Sequence, residues 1–224
     1  SEIVEEIQAP VTGDMAVWWN TRASIPGVRK ALTGHEVFMV ALYYGSETGR
    51  RRLKKTFDEA EVLAVLGTLT EEHLQMAEKT WDMESMYWSK QVEIWRRTRG
   101  FSPKKVMALP FETVTADGKR LKWKGGYHRL KYGRSLPKLD LSAQLAQERA
   151  GTVTLVQTES GSVHERVAEV DEELLLDFSV VTSHMAETIH HVALHEKLHS
   201  VQRLMNHPVV QDAFLKTWGD QVYT

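Results

Sequence analysis

The chemistry-bearing residues of this chain crowd into its last forty or so positions, where His195-Glu196-Lys197-Leu198-His199 spells H-E-x-x-H. On a helix, two His four apart share one face and can hold zinc, while the intervening Glu polarises a bound water. On that chemistry His195 and His199 are candidate metal ligands, with His191 or His184 as possible additions, and Glu196 is the candidate catalytic base of a zinc-dependent hydrolase. The arrangement needs a third protein ligand. Position 205, where one class of zinc peptidase has a further His, is Met. His207 falls on the helix-ending Asn206-His207-Pro208 turn, and no Glu follows Glu196. Asp212 or Asp220 could substitute. Without a third ligand the reading that leads is no catalytic residue, no metal and no cofactor, with zinc as the alternative.

The helix that carries the motif has further content. At about 100° per residue, His184, His191, His195 and His199 fall within an arc of about 80°. Phe178, Val181, Met185, Ile189 and Val192 form a neighbouring apolar stripe, whereas Leu194, Leu198, Val201 and Met205 form one nearly opposite. The buried face should therefore switch near residue 193, as in a helix sandwiched between other elements. A His-rich flank of this kind can bind metal, respond to pH or simply make ordinary hydrogen bonds.

A second constellation lies at residues 116–138, "ADGKRLKWKGGYHRLKYGRSLPK", with eight Lys or Arg against one Asp. Cations neutralise phosphates and aromatic faces stack on bases, which is how single strands are held without sequence reading. Lys119, Arg120, Lys122, Trp123, Lys124, Tyr127, Arg129, Lys131, Tyr132 and Arg134 are the candidate nucleic-acid contacts. The competing reading is a solvated hairpin with lysines outward and aromatics inward. No phosphate-binding Gly loop and no G-x-S-x-G nucleophile turn occurs.

The elements that must position these residues are mostly helical. Thr56 with Glu59, and Thr70 followed by Glu71 and Glu72, read as helix starts. Apolar residues from Leu74 to Trp95 predict one amphipathic helix of about seven turns, stopped by Gly100 and Pro103. Asp117-Gly118 between two extended runs predicts a β-hairpin. A helical patch is expected at 140–150, then extended chain, a long helix from about Asp171 to Met205, and a short one opened by Pro208. The expected fold is mostly α: a helical domain with a small central β-hairpin and a long C-terminal His-rich helix. Its parts are 1–105, 106–170 and 171–224, within one compact domain.

Composition bounds the rest. The 224 residues are 42% hydrophobic and 26% charged, as in globular proteins, and contain no cysteine. Thiolate ligands, disulfides and Cys nucleophiles are excluded. No signal-peptide pattern opens the chain, and no apolar run nears the roughly 18 residues that cross a bilayer. The net charge of −2 hides a middle section, 90–138, that carries +11 between flanks of −5 and −8. Ser1 and the acidic "SEIVEEIQAP" read as the start of a segment excised from something larger.

Four stretches taken in order carry a family resemblance: "ALTGHEVFMVALYYGSETGRRRL", "LGTLTEEHLQMAEKTWDMESMYWSKQVEIWRRTRGFSPKKV", "GKRLKWKGGYHRLKYGRS" and "FSVVTSHMAETIHHVALHEKLHSVQRLMNHPVVQDAF". Together they resemble a segment of the large polyvalent proteins of tailed bacteriophages and prophages. The matching positions are Trp81-Asp82, Gly125-Gly126-Tyr127 with Tyr132, His184 or His190-His191, and Pro208-Val209. The chain departs from the pattern at His128, where Pro is expected, and at Gly133, where Asp is expected. The resemblance implies a virion or ejected internal protein and carries over no catalytic residue. It implies a non-catalytic structural or interaction module acting in virion assembly, genome delivery or early host takeover, in the virion or the bacterial cytoplasm. Its partners would be the rest of a larger parent protein or other phage or host proteins, with DNA or RNA possible at the hairpin. A free-standing nucleic-acid-binding module is the remaining alternative.

Overall fold

The computed structural model describes residues 15–102, 104–131 and 174–218. The chain order is α1 (Met15–Asn20), β1 (Arg22–Ala23), β2 (Leu32–Thr33), α2 (Gly34–Tyr44), α3 (Glu47–Leu53), α4 (Glu59–Leu66), α5 (Glu71–Met86), α6 (Trp88–Arg99), β3 (Phe111–Val114), β4 (Arg120–Trp123), α7 (Ser179–Met205) and α8 (Pro208–Trp218). The expected mostly helical fold, the central hairpin and the long C-terminal helix are all present. The helical patch expected at 140–150 and the extended run after it lie outside the described residues.

Helix α2 is the centre of the core. Phe38, Met39, Val40, Ala41, Leu42 and Tyr43 are each fully buried, so apolar side chains cover its whole circumference. Such a helix must be surrounded, and α1, α3, α4 and α5 all pack on it. Its start is fixed by Thr33, whose hydroxyl accepts from the Glu36 amide while the Glu36 carboxylate accepts from the Thr33 amide. The same reciprocal cap opens α4 at Asp58 with Glu61, two residues beyond the expected Thr56 with Glu59. Thr70 caps α5 as the sequence indicates, with His73 as the reciprocal partner.

The seven-turn helix expected after Leu74 is interrupted at Tyr87, which closes α5 and opens α6 without a side-chain cap. Tyr87 keeps right-handed helical backbone angles, so the buried face continues through Leu74, Ala77, Trp81, Glu84, Gln91 and Trp95. Gly100, at φ 76°, ends α6 where the sequence places the stop.

Strands β3 and β4 pair antiparallel with Phe111 opposite Trp123 and Val114 opposite Arg120. The loop closes through Thr115 and Lys119 with Gly118 at φ 75°, the Asp-Gly turn that the sequence signals. A second ladder, β1 with β2, is only two residues long and too short to carry an alternation signal.

Helix α7 begins at Ser179 rather than near Asp171; its N-cap residue, Phe178, offers no side-chain cap, and the Asp177 carboxylate accepts from the Ser179 amide at 2.8 Å. Its first half buries Val180, Val181, His184, Met185, Thr188 and His191. The second apolar stripe, expected to be buried, is not: Leu194 is 38% exposed and Val201 47%, while Leu198 and Met205 are partly buried. Helix α8 has no buried residue.

Candidate functional site

A buried carboxylate lies between two imidazoles. Glu84 is on the core face of α5, one turn beyond Trp81, where the helix period calls for an apolar residue. Its Oε1 accepts from His128 Nδ1 at 2.6 Å and from His184 Nδ1 at 2.9 Å. The Glu84 and His128 side chains are 2% and 0% exposed, and that of His184 is 3%.

Three separate parts of the chain deliver these side chains. Trp81 donates its indole N–H to the Leu42 carbonyl, which fixes the end of α5 against α2. Gly126 then lies directly on the Trp81 indole, where a Cβ would collide with the ring. Gly125 makes the turn at φ 68°, with the Leu109 carbonyl pressed against the place a Cβ would take. The Gly45 carbonyl accepts from both Leu109 and Gly126 amides, and this close approach sets His128 beside Glu84. The third member arrives with α7. Its approach is fixed by Tyr43, whose hydroxyl donates to the Leu175 carbonyl at 2.9 Å, and by the Leu175 amide, which donates to the Lys131 carbonyl. The Tyr43 ring walls the cluster 5.4 Å from that of His128.

Burial alone would raise the Glu84 carboxyl. The charge and hydrogen bonds supplied by His128 and His184 outweigh it and bring the group from 4.5 down to about 2. Glu84 is therefore a carboxylate that accepts from both imidazoles. Glu84 Oε2 and His128 Nε2 are buried and have no hydrogen-bond partner. Gln91 Oε1 and Thr188 Oγ1, further along the α6–α7 seam, share that condition.

The H-E-x-x-H residues lie elsewhere on α7. Glu196 accepts from Arg97 of α6 at 3.0 and 3.2 Å on the protein surface. The His195 and His199 rings stack, with centroids 6.2 Å apart and planes 26° from parallel. His191 is buried, with its ring 4.3 Å from that of His195. Among the described residues, the one group of three His, Asp or Glu with mutually adjacent ligand atoms is Glu84, His128 and His184. Asp212 is exposed and paired with Lys216, and Asp220 lies outside the described residues. The structure brings His184 into a cluster but gives His195 and His199 no third ligand there.

The basic hairpin is more neutral than its sequence. Lys119 pairs with Glu71 and Lys124 with Asp82, both at 2.6 Å. Arg129 is buried against Glu187, which Lys131 also approaches. Arg120 and Lys122 remain on the solvent side. Trp123 is 5% exposed and packs in the core, so it has no free face for a base. Tyr127 is half-buried on a cavity wall, and Tyr132 and Arg134 lie outside the described residues. The inward-aromatic alternative describes Trp123 correctly.

Sequence reading missed Glu84 and noticed His128 only as a departure from a family pattern. A signal for Glu84 existed: a charged residue in register with Leu74, Ala77 and Trp81. Compared with family models, curated proteins and solved structures, the chain matches none.

Proposed function

We propose that the chain is a non-catalytic structural and interaction module of a large phage-type protein, serving virion assembly, genome delivery or early host takeover. The observation that carries this reading is the distal arm formed by the second half of α7 and by α8. Val201, Leu204, Val209, Leu215 and Trp218 are all exposed there, between 40% and 69%. A helix of 11 residues with nothing buried is marginal in water, so a partner surface is its natural support. A second copy of the chain is the partner of choice, because two such arms related by a two-fold axis can cover each other's exposed apolar side chains. The resemblance to polyvalent phage proteins supports a role of this kind in the virion or the host cytoplasm. No helix among the described residues is long and apolar enough to cross a membrane.

The test is sedimentation of the full chain across the micromolar range, alongside a Leu204→Glu, Val209→Glu variant. Association that the double variant weakens at least tenfold is expected. A chain that stays monomeric, with the amides of 201–218 exchanging freely, would overturn the reading.

Nucleic-acid contact at the hairpin is a second reading, favoured by Arg120 and Lys122 facing solvent. It requires salt-sensitive binding of single-stranded DNA or RNA that drops when both are neutralised. The zinc hydrolase alternative is not favoured, because Glu196 is engaged by Arg97.

A further inference from the structure

Glu84, His128 and His184 reach one point from a helix, from the segment after the hairpin and from a second helix. We propose that these three side chains are the ligands of a divalent transition-metal ion of the zinc and iron(II) class. The donor set carries the first part of the argument. Two imidazoles with one carboxylate suit zinc and iron(II), and a chain with no cysteine has no thiolate to compete with them.

Geometry carries the second part. The three ligand atoms all lie within 4.8 Å of one another. Bonds of about 2.0–2.1 Å to a tetrahedral ion separate ligands by about 3.3 Å. The two contacts to Glu84 Oε1, at 2.6 and 2.9 Å, need to open only by a few tenths of an ångström. Ligand atoms that converge this closely are a prepared site, whereas the stacked His195 and His199 rings are not.

Burial carries the third. A carboxylate that is 2% exposed and hydrogen-bonded through one oxygen leaves the other desolvated and unmatched. Such an atom has lost its water without gaining a partner, a cost that direct or bidentate coordination offsets. A cavity of about 340 Å³, with Glu84, Trp81, Ser85 and Tyr127 on its wall, lies beside the cluster. It has room for the water that completes the shell of an ion with three protein ligands. The ion would tie α7 to α5 and to the hairpin exit, a role independent of any partner at the distal arm.

The test is metal content of tag-free full-length chain, with His184→Ala, Glu84→Gln and His195→Ala measured beside it. Close to one equivalent of zinc or iron is expected in the parent and in His195→Ala, and less than a tenth of that in the other two. Because a core substitution can unfold the chain, the parent is also titrated with Co(II) and chelator. Visible d–d bands at one equivalent, and a melting temperature that chelator lowers and zinc restores, are expected. Metal lost in His195→Ala but kept in His184→Ala would move the site to the H-E-x-x-H helix and overturn the proposal. A parent that holds no metal and shows no cobalt spectrum or melting shift would overturn it as well, leaving a purely hydrogen-bonded cluster.

Discussion

The two halves of α7 carry histidines on nearly the same side of the helix, yet they meet different surroundings. In the proximal half, His184 and His191 are buried, and His184 faces a carboxylate delivered from α5. In the distal half, His195 and His199 are partly exposed and stack on each other, and the neighbouring Glu196 pairs with Arg97 at the surface. The half that spells a known motif has the weaker chemistry. Ligand geometry is made by what packs across from a helix, and a four-residue spacing supplies two donors at most.

Substitutions break this comparison most sharply at its buried end. Glu84→Ala removes the acceptor shared by two imidazoles and should cost about 3–5 kcal/mol in denaturant unfolding. A loss under about 1 kcal/mol would mean that the cluster is not a fixed part of the core. Next comes packing along the same helix. Met185→Ala, at a site 1% exposed, should cost about 2–5 kcal/mol. Leu204→Ala, at 59% exposure, should change monomer stability by no more than about 0.5 kcal/mol. Equal effects would show that the distal arm is packed in solution.

Acid titration extends the contrast to carboxylates. Hydrogen bonds from the Arg29 side chain, then from the Arg29 and Asp58 amides, hold the Glu61 carboxyl near 2 against an ordinary 4.5. A folded-state value below the unfolded one means that this stabilisation is complete above 4.5 and is lost as pH falls towards 2. Melting curves of Glu61→Gln should lack that part of the acid loss, and those of Glu196→Gln should keep it. The smallest effect belongs to the surface pair itself. Arg97→Ala should leave the melting curve almost unchanged, and high salt should erase even that difference.

Much of the fold is written locally. Thr70 and its cap, the Asp117-Gly118 turn, Gly100 as a stop and Pro208 as a start each follow from the backbone preferences of one or two residues. The interruption at Tyr87 has no Gly or Pro to announce it, and the two-residue ladder of β1 and β2 is below the length at which a period shows. The cluster is less legible for a different reason. Glu84 and His128 are brought together by Trp81 sitting between Gly45 and Gly126, and His184 joins them through the Tyr43–Leu175 contact, all among distant stretches with no spacing to detect. The pairing of Lys119 with Glu71 and of Lys124 with Asp82 is equally non-local, so part of a strongly basic sequence is compensated at the folded surface.

Helix α7 also has a mechanical property. It runs without interruption for 27 residues, about 40 Å at 1.5 Å per residue. Its buried residues end at His191, and beyond them Glu196 pairs with Arg97 of α6, so the remainder is a cantilever. A tilt of about 5° at the His184 end displaces the far end by roughly 3 Å. Force applied at Leu204 returns as torque on the buried first half of the helix, the His184–Glu84 hydrogen bond included.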